Sequence, residues 1–270
     1  MTTKKNKKSQ AKKIDQEQLH GFEKWIKHYS SNQTIVLVGE GDFSFALCLA
    51  RQFGSGRNMI ATSLDSKGEL IKYSKAMSNL RELESRGCQI LHGVDVNTML
   101  HHPELINKQF DRIIYNFPHA GYLKGRRRSS EKNKSQILLH QSLVRGYFMN
   151  SREMLTKNGE IHVTHKTSYP FSEWEIMELA EEDELFLVKE EEFYKLDYPG
   201  YENKRGDGIC DESFPVGKSS TFIFAKRLYP NTRFHPGTLS ISTWPADIID
   251  MACTYLDSLE MKKSNRGHKA

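Results

Sequence analysis

The stretch from Thr34 to Ala46, TIVLVGEGDFSFA, decides the fold. Its apolar run Ile35–Val38 is typical of a buried parallel strand, and the apolar periodicity that follows Ser44 predicts a helix. Between them, Gly39 and Gly41 let the backbone turn sharply and approach a ligand closely, while the start of the helix points its N–H groups into the same space. A strand, a glycine turn and a helix in this order predict a site for a nucleotide-like ligand. A glycine turn that binds nothing is the alternative.

The turn differs from the dinucleotide-binding pattern at one position. That pattern, G-x-G-x-x-G, has a third glycine where this chain has Ser44, which disfavours a diphosphate cofactor. S-adenosylmethionine carries a ribose and a charged end without phosphate, and is therefore the expected cofactor. The residues expected to contact it in the turn are Gly39, Glu40, Gly41, Asp42, Phe43 and Ser44.

Length and charge indicate one core with appendages. The 270 residues are enough for one well-buried α/β domain. The net charge of +5 is concentrated in residues 1–13, where six lysines and no acid predict a disordered arm. This arm is either a nuclear address that also contacts RNA or a solubilising tail. Since no secretory signal or bilayer-spanning run is visible, we expect an intracellular protein without a membrane partner, in the nucleus if the arm is a nuclear address, with the cytoplasm as the alternative.

Cysteine and histidine spacing argues against a metal. Cys48, Cys88, Cys210 and Cys253 lie far apart without a C-x-x-C pair, and the histidine pair at 101–102 has no further ligands at metal spacing. We expect reduced thiols, no disulfide and no metal ion.

The chain divides into four segments. Residues 1–13 are the arm, and residues 14–32, with apolar side chains at helical spacing, predict a lead-in helix. Residues 33–227 predict a doubly wound, seven-stranded and mostly parallel sheet, with an antiparallel last hairpin and helices on both faces. Residues 228–270 are an extension with a predicted helix and a basic tail.

Two acids end neighbouring strands. Asp65 follows the predicted strand 59–64, where a carboxylate can accept hydrogen bonds from both ribose hydroxyls. Asp95 follows the next strand and is placed on the adenine side of the ligand. The alternative for each is a helix cap, for Asp95 the cap of a predicted helix at 97–107.

The predicted fourth strand, 110–115, leads into Asn116-Phe117-Pro118-His119. The segment is similar to the Asn-Pro-Pro-Tyr tetrapeptide of adenine and amine methyltransferases. There the asparagine and a carbonyl hydrogen-bond the nitrogen that is methylated, and the aromatic ring stacks on the base. Here Phe117 replaces the first proline and His119 replaces the aromatic residue.

Two basic stretches adjoin this region. Residues 121–134 are rich in lysine and arginine, which favours an RNA-backbone contact over a merely solvated loop. The loop 198–208 interleaves tyrosines with cations, as suits an unpaired base and its phosphates, although local packing of the tyrosines is the alternative. The side chains expected to contact RNA are Lys124, Arg126, Arg127, Arg128, Tyr201, Lys204 and Arg205.

Together, the motifs VLVGEGDFSFA, ATSLD, FDRIIYNFPHAG, YPGYENKRGDG and FPVGKSSTFIF make residues 33–227 similar to the eukaryotic family of ribosomal RNA uridine-N(3) methyltransferases, as a short, plant-type member. The resemblance implies a Rossmann-like methyltransferase fold, S-adenosylmethionine as cofactor, and methylation of a uridine in large-subunit ribosomal RNA, with the pre-ribosome as partner. It also implies that Asn116, Pro118 and His119 face the uracil.

Uracil N(3) carries a proton and is a poor nucleophile until that proton leaves, so a general base is expected. His119 is the first candidate and Asp207 the second, with a His119 that is simply hydrogen-bonded in its loop as the alternative. A non-catalytic RNA-binding or ribosome-assembly factor that retains the pocket is the rival function. A small-molecule methyltransferase fits the basic loops less well, and a dehydrogenase is disfavoured by Ser44.

Overall fold

The computed structural model describes residues 22–122, 130–206 and 208–226. Several predictions concern residues outside these ranges: the arm, the first part of the lead-in helix, the extension 228–270, Asp207, and the basic side chains Lys124, Arg126, Arg127 and Arg128. No helix in the described ranges is both long and apolar enough to cross a bilayer.

Two sheets are present in the described chain. A two-stranded hairpin pairs β1 with β2, and seven strands form a sheet in the order β5-β4-β3-β6-β7-β9-β8. The strands are β1 Trp25–Ile26, β2 Tyr29–Ser30, β3 Ile35–Val38, β4 Met59–Ser63, β5 Gln89–His92, β6 Phe110–Asn116, β7 Leu155–Lys166, β8 Leu185–Glu192 and β9 Ser219–Lys226. The strands β5, β4, β3, β6 and β7, which are neighbours in this order, are mutually parallel. Strand β9 pairs antiparallel with both β7 and β8. The predicted fold class is confirmed.

Helices cover both faces of the large sheet. They are α1 Ser44–Phe53, α2 Ala76–Ser85, α3 Lys134–Glu153 and α4 Ile176–Glu182. Residues of α1 and α2 pack with one side of the sheet, in a cluster that includes Ile35 and Leu37. Residues of α3 and α4 pack with Val36 and Val38 on the other side. Because successive side chains of a strand face opposite ways, the run 35–38 is buried on both faces and its lack of alternation is explained.

The predicted lead-in helix is wrong for residues 22–32. β1 and β2 form a hairpin there, with Lys27 in the left-handed region at φ 53°. Phe22, expected in the buried stripe of a helix, is 97% exposed, whereas Tyr29 is buried and its hydroxyl lies 3.2 Å from Nδ1 of His162. This tertiary contact, rather than helical propensity, sets the local structure.

The predicted helix at 97–107 is also wrong. The structure has only a short 3-10 turn, Met99–His101, followed by an extended His102. Pro103 explains this, because proline disfavours helical geometry in the residue before it and lacks an N–H of its own.

Candidate active site

A cavity of about 310 Å³ lies where the strand order reverses. β3 pairs in parallel with both β4 and β6, and the chain leaves β3 and β6 towards opposite edges of the sheet. In open α/β sheets the crevice at such a reversal binds ligands. Gly39 follows β3 and Asn116 ends β6, so the two predicted motifs meet in this crevice.

The glycine turn fits closely against β6. Gly39 has a φ of 67°, and a Cβ atom at this position would lie 2.4 Å from Cε2 of Tyr115. Both the left-handed backbone and the neighbouring ring therefore require glycine. Phe43, which immediately precedes α1, also adopts a left-handed conformation, at φ 62°.

Two carboxylates occupy the start of α1. Asp42 Oδ1 accepts the N–H of Ser44 at 3.0 Å, and Glu40 Oε2 accepts the N–H of Ala46 at 3.2 Å. The expectation that these N–H groups point freely at a ligand is therefore wrong. A helix start that already binds two carboxylates disfavours phosphate and suits a ligand with positive charge.

The two acids are buried and line the cavity. Burial raises the pKa of Glu40 to about 8, although the hydrogen bond from Ala46 opposes this. Burial likewise raises the pKa of Asp42, against the hydrogen bonds from Ser44. The second oxygen of Asp42, Oδ2, is buried without a hydrogen-bond partner in the described chain. A buried polar atom without a partner is costly, so a ligand that donates to Asp42 would remove that cost.

The tetrapeptide at the end of β6 has an unusual backbone. Phe117 adopts φ 49°, held by a 2.7 Å hydrogen bond from its N–H to the carbonyl of Thr164 on β7. Such strain is concentrated at functional sites. Both polar atoms of the Asn116 amide, Oδ1 and Nδ2, are buried and have no hydrogen-bond partner among the described residues. Asn116 thus offers the cavity one acceptor and two donors.

His119 lines the cavity, but both of its ring nitrogens are engaged. Nδ1 accepts the N–H of Gly121 at 3.0 Å, and Nε2 lies 3.1 Å from Oε1 of Glu131. Because Nδ1 is an acceptor, the neutral ring carries its proton on Nε2 and donates it to Glu131. Neither nitrogen is then free to take a proton from a substrate, which corrects the assignment of His119 as general base. The alternative, a histidine hydrogen-bonded in its loop, describes this arrangement.

Glu131 joins a second histidine to the first. Its Oε2 lies 3.2 Å from Nε2 of the fully buried His140, and the hydroxyl of Tyr122 donates to its Oε1 at 3.0 Å. Burial by itself would raise the pKa of Glu131, but the hydrogen bond with His119 and the close approach of His140 outweigh it and hold the pKa well below the usual range. Glu131 therefore stays ionised and fixes the ring of His119 at the cavity wall, with the buried ring of His140 beside it at 4.7 Å.

His119, Glu131 and His140 have the composition of a metal site, with ligand atoms within 4.8 Å of one another. However, Nδ1 of His140 accepts the N–H of Ala120 at 3.2 Å, as Nδ1 of His119 accepts that of Gly121. A metal on the Nε2 atoms would need the protons on Nδ1, opposite these N–H donors. The hydrogen bonds favour a metal-free triad, and the absence of a metal stays a prediction.

Asp65 and Asp95 do not line this cavity. Asp65 Oδ1 is paired with Nζ of Lys72 at 2.7 Å. Asp95 is exposed and its Oδ1 accepts the N–H of Asn97 at 2.9 Å. This hydrogen bond is the one that a helix cap would make, although the predicted helix is not formed. Phe43 and Ser44 also lie outside the lining, and the hydroxyl of Ser44 bonds the backbone of Glu202. The ligand roles of these four residues stay predictions.

The loop 198–214 closes one side of the cavity. Tyr201 is 9% exposed and its ring packs edge-on against Phe45 at 5.1 Å, so it cannot stack on an RNA base in this arrangement. Nζ of Lys204 is bonded to Asp211 at 2.9 Å and lies 3.3 Å from Glu202. Of the three RNA contacts predicted here, only Arg205 has a largely exposed side chain, and it too lines the cavity.

Much of the wall was not predicted from the sequence. It comes from Tyr73 before α2, Tyr115 on β6, and the residues around the end of β7: His165, Lys166, Phe171, Trp174 and Phe214. The sequence offered one indication for His165 and Lys166, because they end a strand that is parallel to β6 and so reach the same edge of the sheet. No sequence pattern indicated that Phe171, Trp174 and Phe214 would line the cavity.

Comparison with known proteins gives a consistent family. Residues 36–205 match the BMT5-like family, described as rRNA (uridine-N3-)-methyltransferase. Heavy metal-associated isoprenylated plant protein 41 of Arabidopsis thaliana is 51% identical over 77% of this chain, which spans only 41% of that relative. An uncharacterised Arabidopsis thaliana protein is 51% identical over 76% of this chain and 98% of its own length.

A yeast relative has a named activity. The 25S rRNA (uridine(2634)-N(3))-methyltransferase of Saccharomyces cerevisiae is 27% identical over 83% of this chain and 79% of its own length. Among solved structures, the glycopeptide N-methyltransferase MtfA complexed with S-adenosyl-L-methionine is 10% identical, with a TM-score of 0.45 over 72% of this chain and 81% of that chain. The likeness to MtfA concerns the fold alone.

Proposed function

The chain belongs to the BMT5-like family, and on that premise we propose that it transfers a methyl group from S-adenosylmethionine to N(3) of a uridine in RNA, with large-subunit ribosomal RNA as the target. The observation that carries the proposal is the convergence, in one cavity, of a glycine turn, two buried acids and the unpartnered amide of Asn116.

The residues present fit the cofactor. The glycine turn brings the backbone of Gly41 to the cavity wall, and Asp42 offers an acid to a positively charged ligand. Burial raises the pKa of the neighbouring Glu40 to about 8, and a positive charge bound beside it would favour its ionised form. S-adenosylmethionine carries an ammonium and a sulfonium, and when bound it supplies an electrophilic methyl group. Asp42, through its free Oδ2, would hold the ammonium end, and Asp65 is proposed for the ribose once it releases Lys72.

Asn116 matches the edge of uracil that is to be methylated. On that edge an N–H group stands between two carbonyl oxygens. The amide oxygen of Asn116 can accept a hydrogen bond from the N(3)–H group while the amide nitrogen donates one to a neighbouring uracil carbonyl. These two hydrogen bonds would satisfy both buried atoms of the amide. The strained backbone at Phe117 and the rigid ring of Pro118 hold Asn116 in place, and such positioning accounts for a large share of catalysis in a displacement reaction.

The charged periphery supports RNA as the substrate. Arg205 extends the wall of the cavity outwards, and the basic run between residues 123 and 129 connects two described segments that line it. A cation at the cavity wall, as Arg205 is, attracts the phosphate backbone. A nuclear or nucleolar location, directed by the lysine-rich arm, is proposed alongside, with the cytoplasm as the alternative.

The proposal is tested in cells from which the gene is deleted. Ribosomal RNA from these cells is digested to nucleosides, and N(3)-methyluridine is quantified by mass spectrometry. We expect one methyluridine per ribosome to disappear, to return with the wild-type gene, and to remain absent with Asn116→Ala expressed at the same level. Unchanged methyluridine would refute the rRNA assignment. If deletion of the gene lowers the amount of ribosomal subunits and the Asn116→Ala protein restores it fully, the non-catalytic assembly factor would be favoured.

A further inference from the structure

Lys166, the last residue of β7, places an ammonium group in the wall of the cavity. Its Nζ atom lies 4.7 Å from the ring centroid of Phe171 and 4.8 Å from that of Phe214, and both rings line the same cavity. A lysine ammonium that lies near two aromatic rings is restrained in position, because each ring attracts the cation.

Among the residues that the structure describes, this ammonium has no ionic partner. Lys166 forms no ion pair or hydrogen bond through its side chain with any residue in the ranges 22–122, 130–206 and 208–226, whereas Nζ of Lys204 on the opposite wall is bonded to two carboxylates. The charged groups that act on Lys166 are Glu131, which favours its charged form, and Arg205, which opposes it. Burial lowers the pKa of Lys166, so an anion bound beside it would favour its charged form.

The position of Lys166 favours an anion on a base over a phosphate. Asn116 on β6 pairs with Thr164 on β7, two residues before Lys166. The side chains of Asn116 and Lys166 therefore belong to the same end of the sheet. The ring of Phe117, next to Asn116, contacts that of Phe214 at 5.3 Å. Two aromatic rings beside the ammonium suit a flat base, whereas a phosphate would lose its hydration against them.

We propose that Lys166 is a catalytic residue that stabilises the negative charge developing on a uracil carbonyl as N(3) loses its proton. The inference rests on the proposed function. The N(3)–H bond breaks and the proton passes to solvent. The electron pair left on the ring forms the new N–C bond, while the C–S bond of the sulfonium breaks and leaves its pair on sulfur. An ammonium beside the carbonyl lowers the cost of the first step, so no histidine base is needed.

The kinetic test uses Lys166→Met, which keeps the apolar stem and removes the charge. The rate of a single turnover is measured between pH 6 and pH 10 with saturating cofactor and the RNA that the wild-type protein methylates. We expect a loss of about 100-fold at pH 7, which is typical for one electrostatic stabiliser. The loss should shrink at higher pH, where solvent hydroxide ionises the uracil without help. Lys189→Met removes one charge from the edge strand β8, outside the cavity, and is the matched control.

A second measurement is independent of turnover. The target uridine is replaced by 5-fluorouridine, and the RNA is bound to the protein with S-adenosylhomocysteine, so that no methyl group can move. Fluorine NMR then reports the pH at which the bound base ionises. We expect ionisation in the wild-type complex at a pH about 2 below that of the free RNA, as an opposite charge at contact distance produces. Lys166→Met should abolish this difference and Lys189→Met should preserve it.

The outcomes separate the possible errors. If Lys166→Met lowers the single-turnover rate by the same factor at every pH and also weakens RNA binding, Lys166 binds a phosphate and the inference is overturned. An unchanged rate would overturn it as well. If the wild-type protein binds the cofactor but methylates no uridine in ribosomal RNA, the proposed function itself is wrong and the inference falls with it.

Discussion

Gly39 lies directly against the ring of Tyr115, and any side chain at position 39 would overlap that ring, with a Cβ atom only 2.4 Å from Cε2. The contact joins the end of β3 to β6 at the point where the strand order reverses, so the shape of the turn and the shape of the cavity are set together.

The first prediction follows from this contact. Gly39→Ala should lower the free energy of unfolding by about 2–4 kcal/mol, since it adds left-handed strain and overlap with Tyr115. Gly41→Ala is the control, because its Cβ would meet the Tyr73 ring at an ordinary 3.4 Å and its φ is not in the left-handed region. It should change stability by about 1 kcal/mol or less and yet weaken cofactor binding. Urea unfolding and calorimetric titration measure the two effects, and equal stabilities of the two variants would contradict the geometry.

The second prediction concerns Glu40, whose pKa is raised by burial to about 8 from an ordinary value of 4.5. Below pH 4.5 the carboxyl is protonated in both states. As the pH rises towards 8, the unfolded chain loses this proton and the folded chain keeps it, so stability falls. Glu40→Gln should remove this loss, which is on the order of 4 kcal/mol between pH 5 and pH 8. Urea unfolding of both proteins at the two pH values is the measurement. Parallel pH profiles would show that Glu40 does not carry the effect.

The third prediction distinguishes Asp65 from its partner. If Asp65 binds the ribose, Asp65→Ala should weaken the binding of S-adenosylmethionine about tenfold or more, as loss of a charged hydrogen bond does. Lys72→Met, which removes the 2.7 Å ion pair, should leave the affinity equal or higher because it frees the carboxylate. Calorimetric titration measures the affinity of each variant for S-adenosylmethionine. If Asp65→Ala binds the cofactor as tightly as the wild-type protein, Asp65 does not hold the ribose.

The fourth prediction addresses His119. Since both ring nitrogens are hydrogen-bonded to Gly121 and Glu131, His119→Gln should lower the rate of methyl transfer through misplacement of the wall and keep the shape of the pH–rate profile. A base would behave differently, because its removal eliminates an inflection. If the inflection near neutral pH disappears in the variant, His119 acts as the base after all.

The central sheet could be predicted from local patterns, since Ile35–Val38 is a continuous apolar run that a glycine follows, and later strands carry shorter apolar stretches such as Ile113–Tyr115 and Phe222–Phe224. The hairpin at 25–30 could not, because the burial of Tyr29 depends on His162, more than a hundred residues away. Pro103 is a local signal against the helix at 97–107, because proline disfavours helical geometry in the residue before it.

The candidate site divides in the same way. Gly39 directly follows β3, Asp42 lies in the turn after it, and Asn116 ends β6. Function is expected at such strand ends, and the structure brings the three residues together. The partners of His119 were not predictable, because Glu131 and His140 approach it only through the packing of α3. Without them, a histidine next to the tetrapeptide reads as a base.

The most direct test of the account is the transfer of an isotopically labelled methyl group by the purified protein. Ribosomal RNA from cells that lack the gene is incubated with S-adenosylmethionine carrying a deuterated methyl group, and the digested nucleosides are separated by mass. The account predicts that the label appears on N(3) of uridine, with Asn116→Ala as the inactive control. Label on another base, or no label although the protein binds the cofactor, would contradict it.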